Sequence, residues 1–290
     1  MVDGFHASQN PSANMIPVLD GSSVLNLPFT QVPIKVNGQD LMSRTFYVDQ
    51  VNGDDSNDGS ESAPFKTLQK AVSSAPAGAR VHIYLKSDYE VLDSSESVNI
   101  YSKHVFIYLN GYTLRTSINS SGSFNRLRLV FSNKASLLVF FLTGNSQIII
   151  DDDGYDPDKP WSGYARKLIC CSAMEYPYRL GRSQLCILAL HMNTDVPFLV
   201  IKKGVLVGFE GGEGNFAVNG FDVGIVAWNG ESKAVIDDAL IYMHAPVNFH
   251  WYVQTVEDSN GNPVDIKDKI IGIVRDTNDV PRNIVSNVIL

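Results

Sequence analysis

From Thr45 to the C-terminus the sequence is a succession of short apolar runs separated by turn-forming residues, and no other feature constrains the fold as much. The runs are rich in Val, Ile and aromatic residues, which favour β-strands. Clusters such as Asn110-Gly111 and Gly144-Asn145 lie between them and predict turns. The sequence therefore predicts an all-β fold from about Thr45 onward.

Two architectures accommodate many short strands. An antiparallel sandwich buries one face of each strand, and a β-helix stacks its strands coil upon coil into a continuous core. Val81, Val105 and Leu127 begin successive runs at intervals of roughly twenty residues, which suits one solenoid coil. This periodicity alone leaves both architectures open.

The segment before the first long strand favours the β-helix. Between Thr67 and Ser74 the apolar residues follow helical spacing on one face, and Pro76 and Gly78 end the predicted helix. The first coil of a solenoid would otherwise expose apolar side chains and unpaired strand edges. A short amphipathic helix laid over that end would cap it.

A characteristic pattern precedes the first long strand, and it consists of Tyr47-Val48, Gly53, Asp54, Asn57-Asp58-Gly59 and the stretch from Pro64 to Val72. A later coil, Val105–Leu114, has Asn110-Gly111 at a corner. With these features, residues 46–114 resemble the start of pectate-lyase-like β-helices, a pattern especially common in bacteriophage tailspikes, tail fibres and capsule depolymerases. This resemblance implies a single-stranded right-handed parallel β-helix with an N-terminal capping helix.

The chain divides into three predicted regions. Residues 1–44 carry four prolines together with apolar residues, and they are interpreted as an extended N-terminal arm. This arm packs either on its own domain or on a partner. Residues 45–248 form the β-helix. Residues 249–290 are predicted to be a C-terminal β cap or trimerising region, since Asp258–Pro263 has the composition of a hairpin turn.

Composition excludes some partners and compartments. The net charge of −8 argues against nucleic acid, which requires clustered Lys and Arg, and against an anionic membrane. No apolar run approaches the length of a membrane span, and the N-terminus lacks the pattern of a secretory signal. No cofactor is expected. The resemblance implies a homotrimer of the virion tail, assembled in the host cytoplasm and joined to other tail proteins through residues 1–44.

An acidic and aromatic stretch interrupts the strand pattern after residue 150. Asp152 and Asp153 are candidate catalytic carboxylates, because glycoside cleavage uses two carboxyl groups about 5–10 Å apart. The alternative is a solvated acidic loop or a subunit contact. Nearby candidates for stacking on sugar rings are Tyr155, Trp161 and Tyr164.

Two further candidates lie closer to the C-terminus. Asp237 could form an acid pair with a carboxylate of an adjacent coil. Trp251 lies in the densest aromatic stretch, around residues 242–252, which is interpreted as a carbohydrate platform, a subunit interface or plain core.

The loop after the first strand has some features of a calcium loop. Asp54, Ser56 and Asp58 place oxygen ligands at alternate positions, with Gly59 in the sixth position. Phe65 stands in the twelfth position, where a bidentate Glu would be required. A structural turn is therefore the favoured interpretation, and no metal is predicted.

Together these observations predict a trimeric tailspike or fibre-like bacteriophage protein that recognises a host surface polysaccharide or structures the tail. The main alternative is an enzyme, a polysaccharide depolymerase acting as a glycoside hydrolase or lyase. A third is a cell-encoded carbohydrate-active β-helix protein, disfavoured by the missing signal. A binding or structural role is preferred to an enzymatic one, because a short β-helix leaves little room for a long catalytic groove.

Overall fold

A computed structural model divides the chain into two compact units, residues 1–41 and 42–290. Within the described residues, no helix is long and apolar enough to cross a membrane. The described residues are 6–8, 15–17, 35–36, 39–40, 43–91, 97–100, 103–116, 126–131, 136–151, 167–173, 184–210, 221–228, 232–242 and 247–290.

Among the described residues of the first unit, four short strands form two small sheets, one parallel and one antiparallel. The unit ends at Leu41, three residues before the boundary predicted for the N-terminal arm. The extended conformation and the attachment role of residues 1–44 stay predictions. The parallel pair is β1 (His6–Ser8) and β2 (Met15–Pro17), and the antiparallel pair is β3 (Lys35–Val36) and β4 (Gln39–Asp40).

The second unit consists mainly of strands. In the part of this unit that the structure describes, one short α-helix, α1 (Leu68–Ser73), and one 3₁₀ turn (Ile266–Lys269) accompany them. The strands are β5 (Ser43–Val48), β6 (Arg80–Leu85), β7 (Tyr89–Val91), β8 (Ser97–Asn99), β9 (His104–Tyr108), β10 (Thr113–Thr116), β11 (Arg126–Phe131), β12 (Leu137–Gly144), β13 (Gln147–Asp151), β14 (Lys167–Ala173), β15 (Gln184–Met192), β16 (Leu199–Lys203), β17 (Val205–Glu210), β18 (Phe221–Ala227), β19 (Lys233–Ile236), β20 (Ala239–Tyr242), β21 (Val247–Tyr252), β22 (Thr255–Glu257), β23 (Ile270–Ile271) and β24 (Ile284–Ser286).

These strands fall into three parallel sheets that the chain visits in turn. From β6 to β21, each strand pairs with the strand three places later in the chain. The eight-stranded sheet has the order β5-β6-β9-β12-β15-β18-β21-β24. One six-stranded sheet has the order β7-β10-β13-β16-β19-β22, and the other has β8-β11-β14-β17-β20-β23. All strand pairs described in this unit are parallel, which confirms the all-β parallel fold and excludes the antiparallel sandwich.

One hydrophobic core is shared by the three sheets. Alternate residues of strands such as β6, β9, β13 and β15 are buried in it, and residues in register on neighbouring strands stack into apolar rows. Each fully buried aliphatic side chain contributes about 1.5–3 kcal/mol relative to an exposed one. One such row of the eight-stranded sheet consists of Val81, Val105, Leu138, Leu185, Val223 and Phe249, and all of these side chains are buried.

The predicted helix is confirmed at the N-terminal edge of these sheets. Thr67 caps it, accepting a hydrogen bond on its side chain from the Lys70 amide at 3.1 Å. Leu68, Ala71 and Val72 are buried in the common core, as the helical spacing predicted. The helix contacts β5, β6 and β8, which include the first strands of two sheets.

Two details differ from the sequence predictions. Val81 and Val105 are neighbours in one sheet, but the next residue in that row is Leu138 and not Leu127, which lies in another sheet. Parallel pairing also continues past residue 248 as far as β24. The boundary predicted before residue 249 therefore falls inside a strand, because apolar residues keep the inward positions beyond it.

Candidate functional site

The outer surface of the eight-stranded sheet carries an extended face without Asp, Glu, Lys or Arg. It consists of two rows of outward-pointing residues in register on seven strands, here called the aromatic face. Inward-pointing residues of the same strands are buried in the core, so alternation directs these two rows outward. The first row is Thr45, His82, Phe106, Val139, Cys186, Gly224 and His250, and the second is Tyr47, Tyr84, Tyr108, Phe141, Leu188, Val226 and Tyr252.

Aromatic rings stack along the N-terminal half of this face. In the second row, the centroids of Tyr47 and Tyr84 are 5.5 Å apart, and those of Tyr84 and Tyr108 are 4.4 Å apart. Phe141 continues the stack at 4.7 Å from Tyr108, with the two planes only 6° apart. In the first row, His82 stacks on Phe106 at 4.9 Å. Tyr84 and Tyr108 are thus covered by a neighbouring ring on each face.

One hydrogen bond joins the two rows. His82 Nδ1 lies 3.1 Å from the Tyr108 hydroxyl. Burial, and secondarily the Arg80 charge, hold the pKa of His82 below its ordinary value. Burial raises the pKa of Tyr108, and Tyr84 adds to this effect. Both shifts favour the neutral forms of His82 and Tyr108.

The C-terminal end of the aromatic face is more exposed. Tyr252 is 56% exposed, and Trp228, which directly follows β18, is 70% exposed. His250 is exposed as well. A polar border runs beside this end, where Asp222 accepts hydrogen bonds from Gln184 and Asn248.

A second surface feature is a groove of about 640 Å³ on the outer face of the β7–β22 sheet. Its floor is aliphatic, formed by Ile149, Val200 and Val235, which lie in one register row. Polar residues border this floor on the same sheet, and the turn after β22 forms one wall. The remaining lining residues are Gln147, Pro197, Lys202, Glu257, Asp258, Ser259 and Gly261.

Hydrogen bonds fix the wall of the groove. The Asp237 carboxylate accepts from the amide of Ser259 at 2.7 Å and from its hydroxyl. Asp258 accepts from the amides of Asn260 and Asn262, which closes the predicted hairpin turn. These hydrogen bonds hold the pKa of Asp258 below its ordinary value, the side chain and amide of Asn262 contributing most.

The charges around the groove are paired. Lys202 Nζ lies 3.5 Å from a carboxylate oxygen of Asp151, and Lys233 Nζ lies 2.7 Å from Glu257. Both pairs are partly exposed, so each contributes at most about 1 kcal/mol to stability. Their main effect is to place hydrogen-bond donors and acceptors beside the groove without adding a large net charge.

Only some of the residues predicted for catalysis and sugar binding lie in the part of the chain that the structure describes. Asp152, Asp153, Tyr155, Trp161 and Tyr164 lie outside the described residues. Asp237 stands beside the groove, but both carboxylate oxygens are engaged by Ser259.

Trp251 occupies a core position. It is 7% exposed, its indole N–H donates to the Val253 carbonyl at 3.0 Å, and its ring lies against Phe249. A buried ring offers no open face to a sugar, so of the three interpretations of this stretch, Trp251 follows the core one.

The calcium-like loop is held together by its own carboxylates. Asp54 accepts from the Ser56 amide at 2.8 Å, and Asp58 accepts from the Ser60 amide at 2.9 Å. These amide hydrogen bonds hold the pKa of both carboxyl groups below the ordinary value. Among the described residues, no group of three or more His, Cys, Asp or Glu side chains could hold a metal ion.

The backbone around this loop leaves no room for a side chain at Gly53. A Cβ atom on Gly53 would lie 2.3 Å from the Phe65 carbonyl oxygen and 2.4 Å from that of Asp49. The Asp55 carboxylate accepts from the amides of Lys66 and Thr67, both at 2.9 Å, and so ties the loop to the start of α1.

The aromatic face and the groove were not found from the sequence. A signal was present in the strands themselves, because Tyr84, Tyr108 and Phe141 occupy the alternate positions where an outward polar residue is the usual expectation. Recognising them as one face required the register between strands far apart in the chain.

Residues 51–94 match the model of a family described as a protein of unknown function (DUF1565), which is of the parallel β-helix type. The matched segment contains the calcium-like loop, α1 and strands β6 and β7. No curated protein and no solved structure gave a significant match to this chain. The comparison thus bears on the fold of the N-terminal part of the second unit.

Proposed function

We propose that this chain is a trimeric bacteriophage tail protein, of the tailspike or fibre type, whose copies associate through the aromatic face. The observation that carries the proposal is the continuity of that face. Seven neighbouring strands at about 4.8 Å spacing extend it over about 29 Å without a formally charged side chain of Asp, Glu, Lys or Arg. Extended apolar surfaces of this kind mark interaction sites.

Two properties of the face favour protein–protein contact over sugar binding. Tyr84 and Tyr108 each have a ring stacked on both faces, so they lack the open ring faces that a sugar would need. At the other end, Trp228 and Tyr252 are exposed. Trp and Tyr are the residue types that most often dominate the binding energy of protein interfaces.

The proposed architecture is a closed, single-stranded, right-handed parallel β-helix. Three sheets visited in rotation around one core support closure. The right hand follows from the strong preference of parallel strand connections for that handedness. Residues 1–44 would join the virion tail, and assembly would take place in the host cytoplasm.

The remaining surface would contact the host surface polysaccharide or other tail components. The engagement of Asp237 with Ser259 favours binding or a structural role over hydrolysis, because a catalytic carboxylate needs an oxygen free for the substrate. A depolymerase using Asp152 and Asp153 is the alternative function.

Light scattering on the purified chain tests the proposal directly. We expect three times the monomer mass of 31.9 kDa at micromolar concentration. A monomeric mass would contradict it. Incubation with purified bacterial surface polysaccharide separates the two functions, since an adhesin leaves the polymer length unchanged. Release of oligosaccharides that is abolished by Asp152→Asn or Asp153→Asn would establish the depolymerase instead.

A further inference from the structure

The groove on the β7–β22 sheet has an amphipathic cross-section. Its floor is a single aliphatic row, Ile149, Val200 and Val235, running across three neighbouring strands. Lys202 lies two residues beyond Val200 on the same strand and is about half exposed. Glu257 continues the floor row on β22, since it is in register with Val235. An apolar strip is thus bordered by groups that donate and accept hydrogen bonds.

The chemistry of the groove discriminates among ligand classes. The floor is the face of a sheet whose backbone groups are paired with both neighbouring strands, so a peptide cannot add to it as a further strand. A polyanion is also disfavoured, because the ammonium groups of Lys202 and Lys233 are already paired with Asp151 and Glu257, while Asp258 adds negative charge to the wall.

A neutral sugar satisfies both parts of the surface. Each pyranose ring has an apolar C–H face for the aliphatic floor. Its hydroxyl groups both donate and accept, and they can use the ammonium of Lys202 and the carboxylate of Glu257 together. The strand spacing of about 4.8 Å is close to the length of one sugar residue, so a chain crossing the strands would place about one ring on each.

We infer that this groove binds a neutral saccharide chain lying across strands β13, β16 and β19. The inference deepens the proposed contact with a surface polysaccharide and rests on that part of the proposed function. It does not depend on self-association. The wall is held in place before binding, because Asp237 fixes Ser259 through both its amide and its hydroxyl. Such preorganisation lowers the entropy cost of binding.

An array of purified neutral and acidic bacterial surface polysaccharides provides the first test. We expect binding to at least one neutral polysaccharide. Absence of binding to all neutral polymers, or binding to acidic polymers alone, would overturn the inference. Oligosaccharide fragments of the polymer that binds then serve as ligands in isothermal titration calorimetry, where the affinity per chain does not depend on multivalency.

Two variants locate the site. Val235→Glu places a charge on the floor, and Lys202→Ala removes a border donor; we expect the first to weaken fragment binding at least about tenfold and the second about threefold. Unchanged affinity in both would refute the site. Lys202 is half exposed, so its variant decides the question if Val235→Glu fails to fold by circular dichroism.

Val226→Glu is the matched control, since it makes the same change on the aromatic face. It should leave the fragment affinity per chain unchanged, and a loss equal to that of Val235→Glu would count against the groove. Light scattering on the same samples keeps the two proposals apart. If the wild-type chain is a monomer and Val235→Glu lowers its affinity for the fragments, self-association is refuted and the saccharide site is retained.

Discussion

The rings of Tyr84 and Tyr108 lie face to face, with centroids 4.4 Å apart and planes that differ by only 8°. The two residues are in register on neighbouring strands, so the strand spacing itself brings the rings to stacking distance. The same register places Phe141 on the other side of Tyr108. Tyr108 therefore links three neighbouring strands of the sheet, β6, β9 and β12, from outside the core.

Replacing Tyr108 should separate the contribution of stacking from that of the hydroxyl group. Tyr108→Leu removes three ring contacts, with Tyr84, Phe141 and His82, each contributing about 0.5–1.5 kcal/mol beyond burial, so we expect a loss of about 2–4 kcal/mol. Tyr108→Phe removes only the hydroxyl group, which hydrogen-bonds with His82 and interacts with Tyr84, and should cost about 0.5–1.5 kcal/mol. Urea denaturation of both variants measures the difference, and equal losses would show that stacking contributes nothing.

His82 should make stability depend on pH. Burial and the Arg80 charge lower its pKa in the folded protein, so the unfolded chain binds the proton more readily. The stabilising contribution is complete above the unfolded value of about 6.5 and is lost as the pH falls through the lower folded value. We expect the free energy of unfolding to decrease between pH 7 and pH 5, and His82→Gln to flatten that decrease.

His104 provides a check on this prediction, because burial and Arg80 also lower its pKa. A double variant, His82→Gln with His104→Gln, should flatten the pH dependence further than either single change. A wild-type protein whose stability rises as the pH is lowered through this range would contradict the predicted sign.

Gly53 should be intolerant of any side chain. A Cβ atom there would lie 2.3–2.4 Å from two backbone carbonyl oxygens, which cannot move without breaking the loop that leads into α1. We expect Gly53→Ala to lower the free energy of unfolding by about 2–3 kcal/mol. Gly144→Ala is the control, since Gly144 has a φ of +60° but open space around it, and only about 1 kcal/mol of backbone strain is expected. Denaturant midpoints that rank the two variants in the opposite order would rule out the steric explanation.

A charge on the aromatic face should weaken self-association. Val226 is half-buried in its row between Leu188 and Tyr252, and Val226→Lys would bring a cation into each copy of the proposed interface. We expect the mass by light scattering to fall toward 31.9 kDa at micromolar concentration. Val235→Lys, on a different sheet, should keep the wild-type mass. If both variants keep it, the interface lies elsewhere.

The sequence was sufficient for the fold class, the short helix and most strands. Alternation and turn residues are local signals, and Thr67 with the apolar face of α1 is readable within one helical turn. Short strands such as Tyr89–Val91 and Thr113–Thr116 were not predicted separately, because three or four residues carry too little periodicity. Gly204, at a φ of +121°, separates β16 from β17, and a single glycine within an apolar run does not by itself reveal such a division.

The candidate surfaces were beyond the reach of the sequence for a physical reason. The groove floor brings together Ile149, Val200 and Val235, which lie far apart in the chain and meet only through strand register. The predictions made instead favoured conspicuous residues such as Trp251, whose own side chain packs in the core. Conversely, the alternate aromatics of β6, β9 and β12 were interpreted only as strand-forming residues.

The strand register has a consequence for how this scaffold tolerates change in length. The chain between Val81 and Val105 is about half as long as that between Leu138 and Leu185, yet both pairs occupy adjacent positions of the same buried row. Insertions at the connections can therefore be absorbed without altering the stack, whereas a single-residue deletion within a strand would reverse the inside and outside of everything that follows in it. Diversification, natural or engineered, should accumulate at those connections.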